Sequence, residues 1–273
     1  MESIENYLTI DVEDYFQVAA FENIINSADW ETMEQRVVRN TEQILLLLSN
    51  HAIKATFFVV GWIAEKFPSL VNEIHKQGHI IGCHSYWHRK IYDLSPEEFY
   101  ADTLRAKRVL EDIIGEPVLG YRAPSYSITS KSLWALDILK DLGFLYDSSI
   151  FPIYHDTYGM PNAPRFLYRH SNGLNEYPIS TALLMGQKVP VSGGGYFRLF
   201  PYWFTRLALK TINQKDKKPF VFYLHPWELD PDQPRLKQAS LLSRFRHYNH
   251  LDQTYDRFNR LLKDFKFSPL PQN

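Results

Sequence analysis

The chain has 273 residues, 45% of them hydrophobic, with 30 Lys and Arg against 31 Asp and Glu. That length can bury one sizeable core, and the balanced charge, without a long basic stripe, gives no support to nucleic-acid binding. One cysteine, Cys83, excludes an intramolecular disulfide and reads as a buried structural thiol. The N-terminal "MESIENYLTIDVED" lacks the charged-then-apolar pattern of a secretory signal, and no apolar run is long enough to span a membrane. A cytoplasmic protein is expected.

In chain order, "YLTIDV" (7–12) predicts a strand and 37–51 a helix with apolar residues at helical spacing. "KATFFVVG" (54–61) is a buried strand by its β-branched and aromatic run, 64–78 a helix stopped at Gly78, and "HIIGCH" (79–84) the next strand. Ser95, Pro96 and Glu98 form a helix start signal, and the helix they open runs to about Ile114. "PVLGYRAP" (117–124) predicts a strand, 130–143 a helix and "FLYDSS" (144–149) a strand. The stretch 150–200 is irregular, with a strand at "NEYPIS" (175–180). A helix at 202–213, a strand at "PFVFYLHP" (219–226) and a final helix within 240–265 complete the chain. About seven strand–helix units with continuous apolar strands predict a single-domain α/β fold, a complete or incomplete barrel in preference to an open sheet.

Chemistry in such barrels gathers where strands end. The first strand ends in Asp11, Glu13 and Asp14, the third in His84 with His88 four residues on. Later strands end in Arg122, Asp147 and His225. On a helix, two histidines at i and i+4 share a face and reach one point. Two imidazoles and a carboxylate form a common catalytic zinc set. A second carboxylate can take a proton from water, an arginine can hold that carboxylate, and a histidine opposite can protonate a leaving group. This is equipment for metal-assisted hydrolysis of an amide or ester.

"TIDVED", "HSYWH", "YRAP", "DSS" and "YLHPWE" occur in the order found in NodB-type polysaccharide deacetylases, carbohydrate esterase family 4, which the chain resembles over nearly its whole length. "GGGYFRLFPY" (193–202) and "FYLHPWELDP" (222–231) resemble the subfamily of exopolysaccharide loci associated with PEP-CTERM protein sorting. The resemblance implies a distorted (β/α)7 barrel, a divalent metal, and N- or O-deacetylation of an acetylated glycan. It assigns His84 and His88 to the metal, Asp11 to the general base, Arg122 to orienting that base, His225 to the general acid and Leu224 to the acetyl pocket. The family's first motif has two adjacent aspartates. Here Val12 follows Asp11, so the third ligand is Glu13 or Asp14. Strand alternation puts Glu13 on the face of Asp11. A chain leaving the strand after Val12 turns Asp14 inward instead, and Asp14 is the preferred ligand for its shorter side chain. Zinc is the expected metal, with cobalt or nickel as alternatives.

The backbone N–H of Ser125, where many members of the family carry an aromatic residue, is a candidate oxyanion donor. Tyr126, Asp147, Tyr196, Arg198 and Trp227 are candidate substrate contacts. The three glycines before Tyr196 signal either close approach of a ligand or a tight turn packed by aromatics. Two other functions share these residues: hydrolysis of a small cyclic amide, as in allantoinase-like relatives, and a catalytically silent carbohydrate-binding barrel.

Overall fold

The computed structural model describes residues 4–155 and 157–272. Strand β1 (Glu5–Val12) is followed by helix α1 (Val37–Asn50) and β2 (Thr56–Val59). The expected helix 64–78 is two helices, α2 (Gly61–Lys66) and α3 (Pro68–Lys76). Pro68 forces Phe67 out of helical geometry, to φ −127 and ψ 60. Next come β3 (Ile80–Cys83) and α4 (Pro96–Ile114), the latter opened by a reciprocal capping box between Ser95 and Glu98. The series β4 (Gly120–Tyr121), α5 (Ala135–Asp141), β5 (Tyr146–Asp147), β6 (Tyr168–Arg169) and β7 (Asn175–Glu176) continues the sheet with shorter ladders than the apolar runs suggest.

The hairpin β8 (Thr181–Leu184) and β9 (Gln187–Pro190), helix α6 (Gly194–Leu199) and strand β11 (Lys266–Ser268) carry no clear signal in the sequence. Between them lie α7 (Tyr202–Thr211) and β10 (Val221–Leu224). The last predicted helix is also two, α8 (Leu241–Tyr248) and α9 (Leu251–Asp264), broken at His250, which takes a left-handed φ of 51.

Seven strands run parallel in the order β10-β1-β2-β3-β4-β5-β7, with β6 antiparallel on the far edge and β11 beside β1. The ring does not close by a ladder. Between β7 and β10, Val221 N–H donates to Ser180 Oγ (2.8 Å) and Tyr223 N–H to the Ser192 carbonyl (3.0 Å). This is the expected distorted (β/α)7 barrel. Its deviation is local: among the described residues the β5–β7 crossover holds no helix.

Strand alternation sorts side chains into two cores. Phe58, Tyr126, Tyr146, Tyr177, Val221 and Tyr223 fill the barrel interior, while Leu8, Ile10, Phe57, Phe222 and Leu224 pack outward under the helices. The interior is crowded: a Cβ on Gly82 would lie 2.4 Å from the Phe58 ring. Side chains in this layer fill the barrel below the C-terminal strand ends and leave those ends as the concave face. Among the described residues no helix is long and apolar enough to cross a membrane.

Candidate active site

Register decides which residues meet. Ile10 pairs with Leu224 and Asp11 with Phe58, which pairs in turn with Gly82. Asp11 and His225 therefore stand level at the mouth, while Glu13, His84 and Arg122 each directly follow the last residue of their strands. They line a cavity of about 640 Å³ together with His88, Ser125, Tyr126, Tyr158, Tyr196, Tyr223 and Trp227; Arg122 lies beneath, fully buried.

On one wall, ligand-capable atoms of Glu13, His84 and His88 all lie within 4.8 Å of one another. His84 Nδ1 donates to the Arg122 carbonyl at 2.7 Å, which leaves Nε2 as its ligand-capable nitrogen. Burial pushes the His84 pKa down to about 4, so the ring is neutral as a ligand must be. His88 Nε2 sits 2.5 Å from Glu13 Oε2, yet it is buried without an aligned hydrogen bond. Burial disfavours the Glu13 anion, but the charges of His88 and His225 outweigh it and hold the carboxyl well below its usual range. Two imidazoles and one carboxylate converging with an orphaned buried nitrogen fit a divalent cation.

The histidines do not share a helix. Residues 84–88 form a loop in which Ser85 (φ 58) and His88 (φ 52) take left-handed conformations. These turns bring the ring centroids to 5.0 Å.

Asp14 is not part of this group, a correction to the expected ligand set. Its Oδ2 accepts from the backbone N–H of Arg36 (2.7 Å) and Val37 (2.9 Å), and its Oδ1 from Tyr15 N–H (2.8 Å). The Arg36 and Val37 N–H groups are free donors at the start of α1, and a carboxylate satisfies them. Glu13, on the face of Asp11, takes the place beside the histidines.

Next to it, Asp11 Oδ1 accepts from Arg122 Nη1 at 2.6 Å. Arg122 is fully buried and further fixed by Thr9 Oγ1, the Ser148 carbonyl and Ser148 Oγ. Asp11 Oδ2 faces the cavity, 3.5 Å from Tyr126 Oη and 3.8 Å from His225 Nε2.

His225 stands opposite. Its Nδ1 donates to Glu228 Oε1 at 2.7 Å, and Glu228 Oε2 accepts from Arg198 Nε at 2.6 Å. Burial alone would lower the His225 pKa; Glu13, Glu228 and Asp11 overcome it and raise it to about 9. Trp227 stacks between His225 (5.3 Å) and His247 (4.2 Å) and donates Nε1–H to Glu13 Oε1 at 3.0 Å.

Three expected substrate contacts are placed elsewhere. Asp147 is fully buried, bonded to Ser149 Oγ at 2.6 Å and coupled to Glu176. Arg198 borders the cavity, but its guanidinium is spent on Glu228 and on the carbonyls of Arg246, His247 and Asn249. Leu224 points outward under the helices, because alternation gives the inward positions to Tyr223 and His225. The glycine run resolves as a turn: a Cβ on Gly193 (φ 135) would fall 2.0 Å from the Tyr223 carbonyl oxygen. Tyr126, Tyr196 and Trp227 do line the cavity.

Sequence reasoning missed Glu228 as the partner of His225. Its signal was the spacing in "HPWE": Pro226 opens a 3-10 turn after His225, and Glu228 folds back on the His225 N–H and ring.

Residues 30–146 match the polysaccharide deacetylase family, and residues 148–272 match a family described as a domain of unknown function, DUF3473. A peptidoglycan-N-acetylglucosamine deacetylase of Bacillus cereus is 35% identical over 98 residues, 36% of this chain and 36% of that protein. A chitooligosaccharide deacetylase of Azorhizobium caulinodans is 34% identical over 85 residues, 31% of this chain and 40% of that one. These matches thus span little over a third of the curated relatives. A solved structure from Mycobacterium smegmatis, assigned to the polysaccharide deacetylases, is 16% identical with a TM-score of 0.60 and shares the fold over 98% of this chain and 89% of that one. The first half of the chain, residues 30–146, is thus similar to polysaccharide deacetylases, and the whole chain shares their fold.

Proposed function

We propose that the protein is a metal-dependent deacetylase that hydrolyses N- or O-linked acetyl groups of a glycan, in the making of an exopolysaccharide. The observation that carries this reading is one cavity with a cation-ready Glu13–His84–His88 group, an arginine-held carboxylate beside it and a carboxylate-backed histidine opposite. Glu13, His84 and His88 would hold the metal, and the donor set suits zinc, with cobalt or nickel as alternatives. A cation there polarises an acetyl carbonyl and makes water more acidic.

The remaining steps belong to side chains of this chain. Asp11 Oδ2, left facing the cavity because Oδ1 is held by Arg122, takes the proton of the attacking water. The Ser125 N–H, on a left-handed residue lining the cavity (φ 53), serves the oxyanion. His225 Nε2 protonates the departing nitrogen or oxygen, and Nδ1 stays on Glu228 throughout. Tyr126, Tyr158, Tyr196 and Trp227 offer aromatic faces for a sugar.

Metal analysis with acetate release from N-acetylated and O-acetylated oligosaccharides tests this. Wild-type protein is expected to bind one divalent ion and release acetate, and His84→Ala to lose both while staying folded. Metal content unchanged in that variant, or acetate release independent of added metal, would refute the reading.

A further inference from the structure

The second face of interest lies around the cavity's mouth, on α8. Ser240 caps this helix by accepting the Ser243 N–H. Leu241, Leu242 and Phe245 stand 81%, 57% and 56% exposed. Leu242 and Phe245 also line the cavity, as does Leu199 from α6, itself 45% exposed. Single exposed apolar residues are ordinary; several grouped at one rim mark an interaction surface.

The charge around them is equally uneven. The chain as a whole carries −1, yet from Gln233 to His250 it holds Arg235, Lys237, Arg244 and Arg246 and no acidic residue. Apolar side chains flanked by lysine and arginine on one short surface helix are the pattern of a segment that lies in a lipid interface.

From this we infer that the rim formed by α8 docks on an anionic phospholipid membrane, with the cavity opening at the lipid surface. The chemistry favours this occupant over two others. Aliphatic Leu241 and Leu242 offer nothing to sugar hydroxyls, so a longer glycan track does not explain them. A second copy of the chain docking through the same face about a two-fold axis would set each basic segment against its twin. A membrane satisfies both halves of the surface, hydrocarbon for the leucines and Phe245, phosphate for the basic flank. The inference stands on the surface alone and does not depend on the reaction proposed above. Joined to that reading, it makes a glycan presented at a membrane the favoured substrate class.

Sedimentation with sucrose-loaded vesicles tests it, using equal parts phosphatidylglycerol and phosphatidylcholine against pure phosphatidylcholine. The intact protein is expected to bind the anionic vesicles and to be released by raised salt. Lys237→Gln with Arg244→Gln is expected to weaken binding about 25-fold, from about 5-fold for each basic residue near an anionic surface. Leu241→Ser is expected to weaken it as well. None of these three residues lines the cavity, so hydrolysis of a soluble aryl acetate and the melting temperature should be unchanged. Equal binding to both vesicle types, no binding to either, or binding indifferent to all three substitutions would overturn the inference. So would retention on an acidic polysaccharide but not on vesicles.

Discussion

Glu228→Gln separates the charge behind His225 from the hydrogen bond that positions it. Glutamine Oε1 can still accept from His225 Nδ1, so the tautomer with Nε2 facing the cavity survives while the anion does not. Two effects follow. Arg198, buried to 2% exposure, loses its only acidic partner among the described residues. Breaking a buried pair costs about 3–5 kcal/mol. Because Arg198 keeps three carbonyl acceptors, the lower end, about 3 kcal/mol, applies. That corresponds to a melting temperature lower by about 6–12 °C in a chain of this size.

The second effect is on the reaction. With one of three neighbouring carboxylates gone, His225 holds its proton less firmly, so the alkaline limb of kcat/KM moves to lower pH. A general acid is worth about 10²–10⁴ in rate, and weakening rather than removing it should cost about 10–100-fold on an N-acetyl substrate. An aryl acetate, whose leaving group needs no proton, should lose little. The assays are a calorimetric scan and paired pH–rate profiles on the two substrates. Equal losses on both substrates with an unmoved alkaline limb would refute the role given to Glu228 and, with it, the assignment of His225 as acid.

Glu13→Gln should abolish stoichiometric metal binding, whereas Asp14→Asn should keep the metal and lower stability by about 1–2 kcal/mol through the weakened helix start; metal analysis beside denaturant titration distinguishes them. Asp11→Asn should keep the metal and lose about 10²–10⁴-fold in turnover, and wild-type rates in that variant would place the base elsewhere. Glu176, buried beside Asp147, has its pKa raised by burial to about 7. A carboxyl raised in the folded state binds more protons there than when unfolded, so stability falls as pH rises above about 4.5, and the raised Asp147 adds to the fall. Glu176→Gln should lessen this fall in unfolding curves taken from about pH 4.5 to about 7.

Legibility varied with how local the deciding interaction is. The long elements were readable, because a buried parallel strand is a continuous apolar run and a capped helix announces its start, as Ser95 and Glu98 do. Elements held by distant partners were not. Strand β11 exists because it lies against the start of β1, and α6 because Gly193 and Gly194 pass directly against Tyr223. The two missed helix breaks differ in kind. Pro68 was a visible signal, while His250 carries a left-handed φ that no property of histidine predicts.

The site shows the same division. Asp11, His84, Arg122 and His225 stand at or just past strand ends, as position in the sequence predicts, with His88 on the loop after β3. Arg198 and Asp147 are equally polar and equally near, yet their side chains serve buried partners, and nothing in the sequence separates a residue facing the cavity from one facing a neighbour.

The first motif shows how one substitution redistributes work. With Val12 in place of a second aspartate, the residue after the base points outward into the hydrophobic layer, and the carboxylate beside the histidines must come from the next inward position. Glu13 occupies it, and Trp227 from beyond β10 holds its other oxygen. The Glu13–His84–His88 group is thereby tied to the neighbours of His225. Asp14, released from that duty, fastens the loop after β1 to the start of α1. The two matched segments therefore both line one cavity. His84, His88 and Arg122 lie in the first matched segment, Arg198, His225 and Glu228 in the second, and Asp11 and Glu13 precede both; the parallel pairing of β1 with β10 sets Asp11 beside His225.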